Sequence, residues 1–358
     1  MSEFPTSQLI SSAKLPDQVS LPDVSSYTSK VFGLKVNPHH HEAEKESYEW
    51  FDSYGIHTGS RRQKFFDSGF GLMTAMCYPD CNLARLRLTM DLVLWLFAFD
   101  DMTDGGALDS VEGMKRAVDV TMRVLYEPDS PPPKFKVAAT IQNCFNRMRQ
   151  DGTPAMLRRF VDSLDFYTQA CFQQKVHRST DSIPTIEEYI QLRRDTSAMK
   201  IAFAVLEYTL GLDLPDEVAN HPDVVELAIA GNDILTWAND IYSFPIEFAR
   251  GDTHNLVCVA MHHNNLGLEE AIDFVNRLTK SRLDEYVETK AKLSSFGPGL
   301  DEQVTQYIQG IEYCVQGFID WTFMTPRYFG NEAAKVKETG IVNIMAPITL
   351  DVPVVVEA

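Results

Sequence analysis

The sequence lacks any run of 18 or more apolar residues, so nothing in it reads as a membrane-spanning helix. It is also short of positive charge: 32 Lys and Arg stand against 50 Asp and Glu, for a formal net charge of -18. A nucleic-acid-binding surface displaces counterions with clustered basic residues, and this balance argues against one. It leaves room for an anionic small molecule, provided that arginines or metal-held carboxylates gather locally. The six cysteines (Cys77, Cys81, Cys144, Cys171, Cys258 and Cys314) form no C-x-x-C pair, and in a chain of 358 residues they read as reduced thiols. No G-x-x-x-x-G-K-[ST] loop and no G-x-S-x-G elbow is present, which removes the P-loop and the hydrolase nucleophile turn from consideration. The opening residues lack a charged segment followed by an apolar one, so they do not read as a secretory signal, and a cytoplasmic protein is expected. Internal repeats and low-complexity linkers are missing, and β-branched alternation is scarce before Val352–Val356.

What is present is helical periodicity in a chain that is 44% hydrophobic. Residues 1–40, rich in Ser, Pro and Val, read as an irregular N-terminal strap. From Asn82 to about Asp101 the leucines are too continuous for a surface helix, so a long buried one is predicted, stopping at Gly105-Gly106. Pro131-Pro132-Pro133, Pro154 and Pro184 punctuate the middle of the chain, and Thr185 with Glu188 has the spacing of a capping box. A second long helix is predicted from about Val224 to Ala249, kinked by Pro245, with further helices near 267–294 and 300–321. The expected architecture is a single all-α domain over residues 41–330, followed by a C-terminal tail from 331 to 358.

Two groups of oxygen-bearing side chains stand out on the long helices. The first helix ends Phe97-Ala98-Phe99-Asp100-Asp101-Met102-Thr103-Asp104. Asp100 and Asp104 are four apart and share a face, where they repel each other and the negative helix C-terminus unless cations intervene. Paired hard oxygens suit Mg²⁺, which keeps several waters and binds substrate phosphates. On the second helix Asn239, Ser243 and Glu247, each four apart, present an amide, a hydroxyl and a carboxylate oxygen to one side, a partial shell for one hard cation. Either group alone also fits an ordinary polar stripe.

Together these groups resemble class I terpene synthases, in the style of fungal, basidiomycete-type sesquiterpene synthases. Asp100-Asp101-x-x-Asp104 is similar to the family's aspartate-rich motif, and Asn239, Ser243 and Glu247 to its second metal motif. Arg193 stands about where the family keeps an arginine that senses diphosphate. Arg327-Tyr328, after Trp321, is similar to an Arg-Tyr pair that contacts diphosphate on closure. The resemblance implies a helical bundle around a central apolar cavity and three Mg²⁺ ions. Asp100, Asp101 and Asp104 would hold two of the ions, and Asn239, Ser243 and Glu247 the third. It implies a prenyl diphosphate substrate, farnesyl diphosphate by family precedent, ionised and cyclised to a sesquiterpene of protoilludene type, by a monomer or homodimer. The chain departs from the family pattern at Ile246, where a lysine is common; Arg250 and Lys200 are the substitutes to consider. It departs again at Thr196 and Ser197, where an acidic or small residue and then a glycine are common.

Leu96, Phe97 and Trp321 are the first candidates for the pocket wall, ahead of Phe70, Met73 and Trp237, although most of the aromatic residues must simply be core. His39-His40-His41-Glu42 and His262-His263 read as surface clusters, because adjacent side chains point in different directions. Other readings remain open: a chain-elongating prenyltransferase, which is expected to carry two aspartate-rich motifs; a synthase releasing an acyclic terpene alcohol; and a non-catalytic helical binding protein.

Overall fold

The computed structural model describes residues 15–104, 110–180 and 183–344, and the side chains of 103, 104 and 177–180 lie outside that description. Among the described residues thirteen α-helices of eight residues or more form an almost wholly helical bundle. They are α1 (His40–Ser53), α2 (Gly59–Asp67), α3 (Phe70–Cys77), α4 (Leu83–Asp104), α5 (Val111–Tyr126), α6 (Lys136–Met148) and α7 (Pro154–Thr180) in the first half. The second half holds α8 (Ile186–Thr196), α9 (Met199–Leu210), α10 (Pro222–Ala249), α11 (Leu256–Asn264), α12 (Leu268–Lys292) and α13 (Pro298–Trp321). The terminal segments meet: β1 (Gln18–Ser20) pairs antiparallel with β2 (Ile341–Asn343), Val19 opposite Val342. The sequence pattern did not point to this ribbon, because three residues are too few to show a period. The predicted β-branched run at 352–356 and the stop at Gly105-Gly106 lie outside the described residues.

The two long apolar helices are central, as their composition requires. In α4, Leu86, Leu88, Leu92, Leu94, Trp95, Ala98 and Phe99 are all buried, and α1, α3 and α6 cover them. In α10, Leu227, Ile234, Leu235, Ile241, Tyr242 and Phe244 are buried against α12, α13 and α11. Each large apolar side chain removed from water stabilises the fold by about 1.5–3 kcal/mol, so these two helices anchor the core that positions everything else. Helix α10 continues through Pro245 to Ala249; the proline removes one backbone donor without ending the helix. The capping box before α8 forms as its spacing predicts: Glu188 N–H donates to Thr185 Oγ1 (3.2 Å) and Thr185 N–H to Glu188 Oε2 (2.9 Å). Helices α8 and α9 are separated by a sharp break at Ser197-Ala198, where Ala198 takes the left-handed conformation (φ 62°).

Helix α13 approaches α3 very closely at Gly317. A Cβ there would lie 2.9–3.1 Å from the backbone and Cβ of Met76. One turn earlier, Cys77 and Cys314 each direct a thiol at the other's carbonyl, at 3.6 and 3.3 Å. Backbone cannot yield as a flexible side chain can. Gly317→Ala is therefore expected to destabilise the fold by roughly 1–3 kcal/mol, as overpacking of a tight core does, read as a shift in the urea midpoint. Unchanged stability would show that the two helices can separate freely.

Candidate active site

Helix α4 delivers Asp100 and Asp101, both half-buried, directly after buried turns. Helix α10 delivers Asn239, Ser243 and Glu247. The short turn Pro326–Phe329, which comes after α13, lies between them. Arg327 Nη2 donates to Asp101 Oδ1 at 2.9 Å. The next residue faces the other helix: Asn239 Nδ2 donates to the Tyr328 hydroxyl at 2.9 Å. Asn239 Oδ1 in turn accepts from Arg193 Nη2 at 2.8 Å. Asp101, Arg327, Tyr328, Asn239 and Arg193, drawn from four separate stretches of sequence, thus form one connected polar group. Asp104 closes α4, but its side chain lies outside the described residues.

Both arginines are held by carboxylates. Burial disfavours the charge of Arg193, yet Asp240 (Nε to Oδ1, 3.0 Å), with Tyr189 and Glu247 nearby, keeps its pKa above the ordinary value. Burial likewise opposes the charge of Arg327, and Asp101 outweighs it. The guanidinium of Arg327 also lies over the rings of Phe70 and Phe97, 5.3 and 5.2 Å from their centroids. Those rings stack at 4.1 Å, and Trp321 lies 6.0 Å from each, with its indole N–H donated to Gly69 O at 3.1 Å. Phe97 and Trp321 therefore join Phe70 in an aromatic cluster beneath Arg327. Leu96 is half-buried against the core. Trp237 is buried, its indole N–H without a partner among the described residues, and Met73 is buried.

The second group is braced by residues that the sequence pattern did not single out. Asp240 accepts from the Tyr189 hydroxyl (2.7 Å) and from Leu256 N–H (3.1 Å) as well as from Arg193. Asn255, fully buried, sends Nδ2 to Asp240 O (2.7 Å), Glu247 Oε2 (3.0 Å) and Ser243 Oγ (3.5 Å). The same side chain caps α11, since its Oδ1 accepts from Val257 N–H. An Asn before an apolar run is a legible N-cap signal. Its reach back to Glu247 depends on how the chain folds between α10 and α11, and that leaves no mark in the pattern. Because one amide touches both Ser243 and Glu247, Pro245 does not carry Glu247 away from Ser243.

The donor set suits a hard cation. Asn239, Ser243 and Glu247 offer three oxygens of different type, none of them a soft ligand. Burial, together with Asp252 and Asp240, pushes the Glu247 carboxyl up to about 7, with Asn255 and Arg193 countering only part of the effect. A cluster that resists its own negative charge is one that a divalent cation would relieve. The substitutes considered for Ile246 do not enter this group among the described contacts: Lys200 is exposed, paired with Asp195 and set over Phe166, and Arg250 is the exposed C-cap of α10. Arg194, next to Arg193, pairs instead with Asp233, which Arg282 also holds. Ser197 bonds Asn232 Oδ1 at 2.9 Å, tying the α8–α9 break to α10.

Residues 91–285 match the family described as terpene synthase family 2, C-terminal metal binding. The chain is 35% identical over 328 residues to sesquiterpene synthase Agr1 of Cyclocybe aegerita, covering 92% of this chain and 93% of that one. It is 38% identical over 338 residues to sesquiterpene synthase 3 of Postia placenta, covering 94% and 90%. In fold it is similar to the linalool/nerolidol synthase of Streptomyces clavuligerus, solved in complex with 2-fluorogeranyl diphosphate. There the TM-score is 0.74 at 20% identity, over 83% of this chain and 98% of that one.

Proposed function

Because the chain belongs to terpene synthase family 2 and is accordingly a lyase, we propose that it ionises farnesyl diphosphate in a Mg²⁺-dependent reaction and cyclises the resulting cation to a sesquiterpene. The observation that carries this reading is the 327–328 turn, whose two side chains reach the aspartate-bearing end of α4 and the Asn239 face of α10 at once. Relatives named sesquiterpene synthases support the fifteen-carbon substrate. For the product we propose a humulyl-derived, protoilludene-type skeleton, and a cytoplasmic location for the enzyme.

In this proposal Asp100, Asp101 and Asp104 hold two Mg²⁺ ions, and Asn239, Ser243 and Glu247 hold the third. Bound there, the ions would neutralise charge developing on the leaving diphosphate. The protein's own part begins with Arg193, Arg327 and Tyr328. Arg193 is now satisfied by Asp240 and Asn239, and Arg327 by Asp101. On substrate binding they turn N–H donors to diphosphate oxygens, and Tyr328 adds its hydroxyl. The allylic C–O bond then breaks heterolytically: both electrons leave with diphosphate, and the carbon chain is left cationic. Asn255 and Asp240 keep the oxygens of α10 and the Arg193 head in place through this step. The Phe70, Phe97 and Trp321 rings exclude water, which would quench the cation, and each ring face turned to the cation stabilises it by about 0.5–2 kcal/mol. Loss of a proton from a carbon beside the cationic centre to the released diphosphate ends the cascade as a hydrocarbon.

Incubation with geranyl, farnesyl and geranylgeranyl diphosphate plus Mg²⁺, with volatile products read by mass spectrometry, tests the reading. The expected result is a cyclic C15 hydrocarbon from farnesyl diphosphate, abolished by excess chelator. Undiminished product in chelator, or no product from any of the three, would reject it. A C15 alcohol would favour the acyclic reading instead.

A further inference from the structure

We propose that His40, His41 and Glu44 form a binding site for a divalent transition-metal ion of the zinc class, separate from the carboxylate groups of α4 and α10. In the sequence the run His39–Glu42 reads as side chains pointing apart. The structure changes the membership of the group. The ring of His41 lies beside that of His40, centroids 4.5 Å apart, and the third member is Glu44, one turn further along α1, rather than Glu42. One ligand atom from each of the three falls within 4.8 Å of the other two.

The His40–Glu44 spacing, a long hydrogen bond as it stands, also fits two ligands of one ion. His40 Nε2 and Glu44 Oε1 are 3.4 Å apart. A charge-assisted imidazole–carboxylate hydrogen bond closes to about 2.7–2.9 Å. Ligands at about 2.0–2.1 Å around a tetrahedral ion lie about 3.4 Å from one another. Neither side chain waves in solvent, with 12% and 26% of their surfaces exposed. Glu44 is seated over Gly71, at the start of α3, where a Cβ would come within 2.4–2.9 Å of three Glu44 atoms. Tyr48 closes the same corner with its hydroxyl against Gly71 N–H (3.4 Å) and beside Glu44. A carboxylate that is oriented before the ion arrives, and supported from behind, is what a metal ligand requires.

Two imidazole nitrogens and one carboxylate oxygen select the ligand class. That set suits Zn²⁺, Co²⁺, Ni²⁺ or Cu²⁺, whereas Mg²⁺ demands near-octahedral oxygen coordination. Three protein ligands leave a fourth position for water. All six cysteines are buried, so soft thiolates do not offer an accessible competing site.

The test titrates Co²⁺ into the full-length chain without an affinity tag, in excess Mg²⁺ so that hard oxygen sites are occupied. One equivalent of Co²⁺ should bind with the intense visible bands of a tetrahedral site, and Zn²⁺ should bleach them. His41→Ala, at an exposed position, and the isosteric Glu44→Gln should each weaken binding by more than about 10-fold, since even outer-shell partners of metal ligands are worth 10–100-fold. His263→Ala, in the other histidine pair, should bind as wild type does. Circular dichroism identifies any variant that has lost its fold. The proposal is overturned if wild type shows only the weak bands of octahedral Co²⁺, or if His41→Ala and Glu44→Gln both fold and bind Co²⁺ unchanged.

Discussion

Replacing Asn239 by alanine is expected to cut turnover of farnesyl diphosphate by roughly 10²–10³-fold, the usual cost of removing one group that stabilises developing charge, with the fold retained. The side chain does three things at once. Its amide oxygen is proposed to face the third Mg²⁺ ion, and in the structure it accepts from Arg193; its amide nitrogen donates to Tyr328. Alanine removes all of them, yet Arg193 keeps the buried Asp240 as its counter-charge, so no buried charge is stranded and the helix core is untouched. The thermal midpoint should therefore stay near that of wild type while kcat falls. Asn239→Asp restores an oxygen at the same place and should recover part of the loss, whereas Asn239→Leu should not. Asp100→Ala is expected to behave like Asn239→Ala. Wild-type turnover in either alanine variant, measured by product formation at saturating Mg²⁺, would remove that residue from the proposed machinery.

The parts of the architecture legible in the sequence share one physical origin. Buried helices must be apolar over many turns, so α4 and α10 announce themselves, and oxygen-bearing side chains spaced by four on such helices are visible as departures from that rule. The capping box at Thr185 is legible for the same reason: its chemistry is local. What could not be read is long-range. Arg193 and Arg194 are adjacent and chemically alike, and only the family resemblance, not the local pattern, singles out Arg193; in the structure it joins the Asn239 group, while Arg194 is tied with Arg282 to Asp233. Only the rotation of α8 against α10 separates those fates. The same holds for Asn255, whose contact with Glu247 is fixed by tertiary folding, and for Glu44, which displaces Glu42 from the histidine group because α1 sets it against Gly71. The β1–β2 ribbon joins residues more than 300 positions apart in a register of three pairs, too short to carry a periodic signal.

Asp240→Ala is expected to be the most destabilising change near the site, costing roughly 3–5 kcal/mol, as breaking a buried ion pair does when one charge is left behind. Asp240 is 1% exposed and accepts from Arg193, from the Tyr189 hydroxyl and from Leu256 N–H. Burial pushes its carboxyl above the ordinary range, and Arg193 opposes that push. Removing the carboxylate leaves the Arg193 guanidinium with the neutral amide of Asn239 as its remaining described hydrogen-bond partner, leaves the Leu256 N–H without its acceptor, and leaves the Tyr189 hydroxyl only the longer contact to His254 O at 3.4 Å. Arg193 would then turn away to find solvent, so activity should fall with stability. A double substitution separates these effects. Exchanging a whole buried pair for apolar groups is far milder than breaking it, so Asp240→Leu with Arg193→Met should regain much of the stability lost in Asp240→Ala. It should regain no turnover, because the proposed diphosphate contact of Arg193 is gone. Urea unfolding and product assays on the single and double variants check both halves. If the double variant is no more stable than Asp240→Ala, the pair does not determine local stability. If it recovers turnover, Arg193 does not act on the diphosphate.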